Sequence, residues 1–231
     1  MTAMCMVCSH RDTAAVELVR QGKADIPMKG ILQTSSFAKA ILNRETGLIP
    51  ASGRRLVSQC GIFEYEGRFI MITDAAININ PDVDTQIGIV ENALPVAKAL
   101  GNDCPKVAVL SAVENVTEKM ASTVTAAEIA KRGVPGCIIS GPLALDGAIS
   151  MESVKHKAIH DPVAGQADIL LVPFIEIGNV LYKACTYIAG KTMASTICGA
   201  SCPVVITSRA DTPDSKYYSI LMAVLRCIKG C

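Results

Sequence analysis

The amino-acid sequence predicts an α/β fold, and two observations carry that prediction. Short runs rich in β-branched residues recur along the 231-residue chain, and segments with helical spacing separate them. Apolar runs of this length without polar alternation are typical of strands buried on both faces of a parallel sheet. Strands that alternate with helices form such sheets, joined by crossover helices. The chemistry of these sheets lies at the carboxyl ends of the strands.

Four strands and two helices follow from these patterns. Each helix is predicted from apolar spacing that ends at a glycine, which commonly closes a helix at its C-terminal end. The predicted strands are residues 106–112, 136–142, 167–173 and 203–208, and the predicted helices are residues 117–133 and 178–190.

Residues 61–76 are an exception to this alternation. Two alternating runs flank Glu66 and Gly67 there. Two strands joined by a two-residue turn that contains glycine indicate an antiparallel hairpin. We expect this hairpin at an edge of a sheet or between two lobes.

The charge and the cysteines limit the class of partner. The chain has 22 basic and 21 acidic residues and a formal net charge of +1, which gives no electrostatic footprint for nucleic acid or an anionic membrane. No apolar run approaches the ~18 residues of a membrane-spanning helix. Most of the ten cysteines stand singly in or beside apolar stretches, as in a reducing compartment. We therefore expect a soluble, cytoplasmic protein that acts on a small molecule.

Cys5 and Cys8 form a CxxC motif, with His10 just beyond it. A tetrahedral zinc site needs further ligands, and the sequence has no second CxxC or HxxxH motif. We therefore predict no metal site. The favoured alternative for this motif is a frayed or edge-packed N-terminal segment.

Polar side chains follow the last predicted strand. Ser208 and Arg209 end it, and Asp211 and Asp214 come just beyond. A guanidinium directly after a buried strand is costly unless it meets an anion, and its fork fits phosphate or carboxylate. The alternative for Arg209 is an internal ion pair with Asp211. The alternative for Asp214 is a place in the first turn of a helix, where a carboxylate complements the helix dipole.

A second polar group lies near the start of the chain. A short strand runs into Lys29 and Gly30, Thr34 and Ser35 stand where a helix begins, and Lys39 follows one turn on. Backbone N–H groups, hydroxyls and lysines at a helix N-terminus suit a phosphate. The alternative is that Thr34 and Ser35 are plain helix caps.

Six motifs, in this order, resemble the phosphate acetyltransferase and phosphate butyryltransferase family, and the butyryl branch most closely. The resemblance runs from about Thr13 to the end of the chain. The motifs are MKGILQTSSFAKAIL (28–42), FIMITDAAININPD (69–82), KVAVLSAVENVTEKMAST (106–123), DGAIS (146–150), VAGQADILLVPFIEIGNVLYK (163–183) and VVITSRAD (204–211).

The resemblance implies a reversible acyl transfer, in which acyl-CoA and phosphate give acyl phosphate and CoA. It implies that CoA is a substrate, and that no redox cofactor and no metal are required. The implied fold is that of isocitrate and isopropylmalate dehydrogenases, with a cleft between two α/β domains. Residues 1–49 with 195–231 would form the first domain, and residues 50–194 the second, through which the family typically forms dimers. The alignment also implies a truncated first domain and therefore weak or absent activity.

The resemblance carries catalytic roles to the end of the last strand. Arg209 would neutralise phosphate and the oxyanion of the tetrahedral intermediate, and Ser208 would hydrogen-bond the sulfur or the phosphate. In the acetyl branch an aspartate takes the proton of the CoA thiol. Ser215 occupies the aligned place here, so Asp214, one residue earlier, and Asp211 are the candidates, with Asp214 preferred.

The remaining site residues are predicted to bind substrate. Lys39 stands where the family has an arginine, and it keeps the charge but loses the bidentate fork, so weaker phosphate affinity is expected. For Asn179 and Lys183, which match patterned family positions, the alternatives are a helix cap and a structural ion pair. The predicted substrate-binding residues are Lys29, Gly30, Thr34, Ser35, Lys39, Asp74, Asn78, Asp146 and Asn179.

Two other function classes stay open. One is a different enzyme on the same fold, such as a phosphate acyltransferase of lipid synthesis or a metal-dependent decarboxylating dehydrogenase. The dehydrogenase needs clustered aspartates, whereas Asp74, Asp82 and Asp84 lie in one segment with asparagines and a proline. The other is a non-catalytic relative that binds CoA esters or pairs with another subunit. Thiol release from butyryl-CoA in the presence of phosphate would separate the classes.

Overall fold

The computed structural model describes residues 5–8, 13–50 and 55–230, in which helices and strands alternate. The strands are β1 (Cys5–Cys8), β2 (Ile26–Lys29), β3 (Ser58–Tyr65), β4 (Arg68–Thr73), β5 (Lys106–Leu110), β6 (Ile138–Leu143), β7 (Ile169–Leu171) and β8 (Ala194–Cys198). The α-helices are α1 (Ala14–Arg20), α2 (Thr34–Leu42), α3 (Val83–Ala99), α4 (Ala121–Arg132), α5 (Leu145–Ile149), α6 (Met151–His156), α7 (Ile175–Lys183) and α8 (Pro213–Lys229).

Six of these strands form one mixed sheet in the order β6-β5-β7-β4-β3-β8. Strands β6, β5, β7 and β4 are parallel to one another, and β3 is antiparallel to both β4 and β8. The parallel strands need crossover connections, which α4 supplies between β5 and β6. The predicted strands β5, β6 and β7 are confirmed, and so is the α/β fold class.

The predicted hairpin is also confirmed, as β3 and β4. Glu66 and Gly67 have φ values of 51° and 77°, which suit the tight turn that matches the twist of two antiparallel strands. The predicted edge position is wrong, because β3 pairs with β8 on its other side and β4 pairs with β7. The hairpin therefore lies inside the sheet.

Strands β1 and β2 form a separate parallel pair, which Val204 and Val205 connect to the six-stranded sheet. The N–H of Val205 donates to Pro27 O over 3.1 Å, and the N–H of Lys29 donates to Val205 O over 3.0 Å. On the other side, the N–H of Ile197 donates to Val204 O over 2.9 Å. The predicted C-terminal strand is thus confirmed only at these two valines, after which the chain turns away from both ladders.

The two predicted helices are confirmed with changed bounds. Helix α4 ends before Gly133, whose φ of 67° places it in a conformation that suits glycine. Helix α7 begins three residues before the predicted start and continues into a π-helical turn at Ala184–Ile188. The predicted helix 178–190 is therefore two kinds of helix in succession.

Helix α8 is fixed to β8 along its length. The N–H of Ser195 donates to Ser219 Oγ over 2.9 Å, and the Arg226 guanidinium donates to Ile197 O over 3.0 Å. Arg226 is only 4% exposed. The polar turn between β8 and α8 is therefore held between two elements that are bonded to each other.

The division into residues 1–49 with 195–231 and residues 50–194 stays a prediction. Strand β8 pairs with β3 from residue 194 to residue 198, so a boundary between residues 194 and 195 falls within that strand. The CxxC motif is not tested, because His10 lies outside the described residues and the side chains of Cys5 and Cys8 are not described.

Within ranges 5–8, 13–50 and 55–230, no three side chains of histidine, cysteine, aspartate or glutamate are placed to hold a metal ion. In the same part of the chain, no helix combines the length and the apolar character that crossing a membrane requires.

Candidate active site

A cavity of about 410 Å³ lies at the carboxyl end of β2. Three cationic side chains line it, those of Lys29, Arg209 and Lys216, together with Gly30 and Ser208. The structure thus brings together four residues that the sequence predicts from opposite ends of the chain, and adds Lys216. The cavity follows the last residue of a strand, where chemistry is expected in an α/β sheet.

Lys29 is buried at the base of this cavity, with 4% of its surface exposed. Its Nζ donates to Gly30 O over 3.2 Å and to Leu32 O over 3.3 Å. An ammonium group carries three N–H donors, so one remains for a ligand. The two carbonyl groups hold the ammonium in place for that contact.

The electrostatics of the cavity favour an anion. Burial lowers the pKa of Lys29 below its usual range, and the positive charge of Arg209 lowers it further. Asp211 acts in the opposite direction, and Lys216 adds a smaller lowering. Each effect requires that these groups lie close to Lys29, so the cations repel one another. An anion among them would remove that repulsion.

The turn that carries Ser208 and Arg209 is closed by its own hydrogen bonds. The N–H of Ser208 donates to Asp211 Oδ2 over 2.7 Å, and the N–H of Ala210 donates to Ser208 Oγ over 3.3 Å. Because Ser208 Oγ accepts from the backbone, its own hydrogen is free to donate to a substrate. Among the described residues no ion pair includes Arg209, so the alternative of an Arg209–Asp211 ion pair is wrong.

Helix α8 begins just after this turn. Thr212 is its N-cap and accepts from the N–H of Ser215 over 3.2 Å, and the exposed Asp214 lies in the first turn. Ser215 is 3% exposed and its Oγ accepts from the N–H of Met193 over 3.3 Å. Asp211, Asp214 and Ser215 are absent from the cavity lining. Which carboxylate acts as base therefore stays a prediction.

The start of α2 lacks a side-chain cap. Its N-cap is Gln33, which makes no capping hydrogen bond, and Thr34 and Ser35 lie in the first helical turn. The alternative that Thr34 and Ser35 are caps is therefore wrong. The first-turn N–H groups have no partner within a helix, so they are available to an anion. Lys39 is exposed and follows Ser35 by four residues, which places both on one face of α2.

The carboxylate of Asp74 orders the loop after β4. It is 2% exposed. Its oxygens accept from the backbone N–H groups of Gln59, Ala76, Ile77 and Asn78 and from the Asn78 side chain. The structure gives Asp74 and Asn78 this internal role, and their contact with substrate stays a prediction.

A chain of hydrogen bonds connects this loop to the polar turn. Gln59, whose N–H donates to Asp74, donates through its side chain to Ser195 Oγ over 2.7 Å. Ser195 Oγ in turn donates to Ile206 O over 3.4 Å. Ile206 lies two residues before Ser208, so the loop and the turn are held in a fixed relation.

Helix α7 lies beside both segments. Asn179 Nδ2 donates to Ala75 O over 3.4 Å, from within the helix, so the alternative that Asn179 is a cap is wrong. Burial raises the pKa of the Tyr182 hydroxyl above its usual range, and the negative charge of Asp211 raises it further. Among the described residues Lys183 forms no ion pair, so the alternative that it serves in a structural ion pair is wrong as well.

Asp146 lies in a separate ion-pair cluster. Its carboxylate is 2.9 Å from Lys157 Nζ, which also pairs with Glu114 over 3.0 Å. The hydrogen bond from Lys157 holds the pKa of Asp146 below its usual range. Asp146 is not part of the cavity lining, so its predicted contact with substrate has no support from this geometry.

Sequence reasoning missed Lys216, although the sequence contains a signal for it. Thr212 and Pro213 mark the start of a helix, which puts Lys216 near the positive end of the helix dipole. A cation there is unfavourable without a nearby anion. A lysine close to the N-terminus of a predicted helix is therefore the signal from which Lys216 could have been found.

Comparison with known proteins gives the family of the chain. A family model described as phosphate acetyl/butaryl transferase matches residues 2–224. The phosphate butyryltransferase of Clostridium beijerinckii is 45% identical over 217 residues, which are 91% of this chain and 71% of that protein. The crystal structure of a branched-chain phosphotransacylase from Enterococcus faecalis superposes with a TM-score of 0.87 at 41% identity, over 95% of this chain and 80% of that one.

A more distant structure supports the fold alone. A 4-hydroxythreonine-4-phosphate dehydrogenase from Klebsiella pneumoniae gives a TM-score of 0.51 at 12% identity, over 93% of this chain and 68% of that one. The dehydrogenase-like α/β fold is therefore confirmed. The family model covers nearly the whole chain, and the relatives are similar over most of their length. The chain belongs to the phosphate acetyl/butaryl transferase family.

Proposed function

We propose that the protein transfers a short-chain acyl group reversibly between CoA and inorganic phosphate. The observation that carries this proposal is the cavity in which Lys29, Arg209 and Lys216 meet beside the Ser208 hydroxyl. Three cations around one cavity suit a phosphate dianion. Family membership supports the reaction class. CoA would be a substrate, and the proposal includes no separate cofactor.

The reaction needs stabilisation of the negative charge that develops on the thioester carbonyl oxygen. A phosphate oxygen attacks the thioester carbonyl carbon, an oxyanion forms, and the C–S bond then breaks to release the thiolate, which takes a proton. Arg209 is exposed beside the cavity without an ion-pair partner among the described residues, so its guanidinium is free for phosphate and oxyanion. Ser208 keeps a free O–H for the sulfur or the phosphate. Fixed donors of this kind lower the barrier to acyl transfer.

The first part of the chain would hold the phosphate. Among the described residues, Lys29 donates two of its three N–H groups, which leaves one for a ligand, and Gly30 lines the same cavity. The uncapped N–H groups and hydroxyls of Thr34 and Ser35 would add donors, with Lys39 one turn further on. We assign these five residues to the phosphate side of the site.

The carboxylate that accepts the thiol proton would be Asp214 or Asp211. Asp211 lies close enough to Lys29 and Tyr182 to affect the pKa of each. One oxygen of its carboxylate, Oδ2, accepts from the N–H of Ser208. Asp214 is exposed in the first turn of α8.

We further propose that the protein is a homodimer, or a higher oligomer, in the cytoplasm. Residues 50–194 would supply the contact, as the division into two domains implies. Helix α7 supports this proposal, because Phe174, Ile177 and Val180 follow one another at helical spacing and are 39%, 48% and 67% exposed. Apolar side chains on one exposed helix face favour burial against a partner.

The activity is tested with the purified chain, butyryl-CoA and inorganic phosphate. Free thiol is measured with a chromogenic disulfide, and acyl phosphate is measured as its hydroxamate in the same samples. We expect both products in equal amounts, and neither in the absence of phosphate. Acetyl-CoA and isobutyryl-CoA, used in parallel, define the acyl preference.

Two other results would contradict the proposed function. Thiol release that does not depend on phosphate would indicate a hydrolase. Binding of butyryl-CoA without any thiol release would indicate the non-catalytic relative that binds CoA esters. Isothermal titration with butyryl-CoA, performed on the same preparation, distinguishes that relative from a misfolded chain.

A further inference from the structure

Lys216 occupies an unfavourable place in the protein. It lies in the first turns of α8, where the backbone dipoles present their positive end. It also lines the cavity that contains Lys29 and Arg209, and its charge opposes the protonation of Lys29. Lys216 thus meets positive charge both from its own helix and from across the cavity.

Neighbouring carboxylates do not compensate for this placement. Among the described residues, no ion pair includes Lys216, Lys29 or Arg209. Asp214 is two residues from Lys216, and side chains at that spacing on a helix do not face each other. Within the described ranges, Asp211 is the carboxylate whose charge acts on Lys29, and its oxygen accepts from the N–H of Ser208.

The charges around the cavity therefore do not balance within the described protein. Lys29, Arg209 and Lys216 contribute three positive charges, and Asp211 contributes one negative charge. This excess of positive charge suits a phosphate dianion. A dianion in the cavity would remove the repulsion among the three cations, which gives the placement of Lys216 a purpose.

We propose that Lys216 is a further phosphate-binding residue, which contacts the oxygens of the attacking phosphate together with Lys29 and Arg209. This inference rests on the proposed function, since it assigns the anion in the cavity to the phosphate substrate. The diphosphate of CoA offers oxygens of the same chemistry. The two can be told apart by removing the lysine. If Lys216 binds inorganic phosphate, the affinity for phosphate falls, and if it binds the diphosphate of CoA, the affinity for butyryl-CoA falls.

The test compares Lys216→Gln and Lys216→Arg with Lys98→Gln, an exposed lysine in the last turn of α3 that does not line the cavity. For each variant, kcat, the KM for phosphate and the KM for butyryl-CoA are measured. We expect Lys216→Gln to raise the KM for phosphate about tenfold, the size of one lost charge-assisted hydrogen bond. Lys216→Arg should restore it to within about twofold, and Lys98→Gln should match the parent.

Other outcomes would overturn the assignment. An unchanged KM for phosphate in Lys216→Gln would show that Lys216 does not contact this substrate. A rise confined to the KM for butyryl-CoA would assign it to the CoA diphosphate instead. Both outcomes are read only from a correctly folded variant. Lys216→Gln should therefore have the melting temperature of the parent in phosphate-free buffer, and a lower value would reveal a folding defect.

A binding measurement separates this inference from the proposed function. The melting temperature is recorded with increasing inorganic phosphate, with chloride at matched ionic strength as the reference. Phosphate should raise the melting temperature of the parent and of Lys98→Gln, and should raise that of Lys216→Gln much less. This result would support phosphate binding by Lys216 even in a chain without turnover. Equal shifts in all three proteins would refute it, whatever the activity.

Discussion

Gly61 on β3 is in direct contact with the ring of Tyr182 on α7. A methyl group at Gly61 would lie 2.6 Å from Cδ2 and 2.7 Å from Cε2 of that ring. Real Cβ atoms do not approach so closely, so the ring position depends on the glycine. The same ring lies near Asp211, whose charge acts on the pKa of Tyr182. The contact thus joins β3 to the polar turn of the site.

Gly61→Ala should therefore destabilise the protein. We expect a loss of about 1–3 kcal/mol in the free energy of unfolding, because overpacking moves the Tyr182 ring or the strand. Urea denaturation measures this loss. The second change Tyr182→Leu, made in the Gly61→Ala background, should recover part of it, since the contact itself is removed. An unfolding free energy equal to that of the parent would contradict the close contact.

Arg209→Gln should lower kcat by about a hundredfold or more, because the fixed cation at the oxyanion and phosphate is lost. The side chain is exposed, and no ion pair of the described residues includes it, so the melting temperature should stay near that of the parent. Steady-state kinetics and thermal unfolding are measured on the same preparation. Unchanged turnover would remove Arg209 from the catalytic site.

Asp211→Asn and Asp214→Asn should differ in their pH dependence. If one carboxylate accepts the thiol proton, its loss matters less as pH rises toward about 8.5, where a thiol ionises unaided. The ratio of parent to variant kcat/KM is measured from pH 6.5 to 9 in the direction that starts from CoA and acyl phosphate. A ratio that falls with pH identifies the base. Two constant ratios would show that neither aspartate is the base.

Lys39→Arg should lower the KM for phosphate. A guanidinium holds two oxygens of one phosphate, where an ammonium holds one. Lys39 is exposed, so the larger side chain needs no repacking. The control is Lys39→Gln, which should raise the KM for phosphate. An unchanged or raised KM in Lys39→Arg would mean that this face of α2 does not approach the phosphate.

The affinity for phosphate should fall at alkaline pH earlier than an ordinary lysine would allow. Lys29 has a lowered pKa, so it loses its proton below the usual value for lysine, 10.5. The charged form binds phosphate, which is already a dianion in this range, so the KM for phosphate should rise as pH increases through the lowered pKa. Lys29→Gln should have a higher KM without that rise. A KM for phosphate in the parent that stays level up to pH 10 would contradict the prediction.

Local sequence patterns predicted the turns and helix ends that depend only on residues close to them in the sequence. The two-residue turn at Glu66 and Gly67 and the glycine after α4 both act within a few residues, and both predictions are confirmed. The pattern did not predict which strand lies beside β3, because pairing with β8 joins residues more than 130 positions apart. The edge position of the hairpin was wrong for this reason.

The site was predictable in part, for a related reason. Arg209 and Lys29 stand out in the sequence because a charge at the end of an apolar strand needs a purpose. Asp74 stands out equally, yet its carboxylate accepts hydrogen bonds from its own loop, which no spacing rule distinguishes from a substrate contact. Lys216 escaped notice because a lysine on a helix is usually a solvated charge.

The crossing at Val204 and Val205 ties the position of the Ser208 turn to two sheets. Val205 bridges to β2 and Val204 bridges to β8, so two adjacent residues are bonded to two different sheets. Ser208 lies three residues beyond Val205. A change that displaced either β2 or β8 would therefore act on the backbone that leads into the Ser208 turn, even if it touched no residue of the cavity.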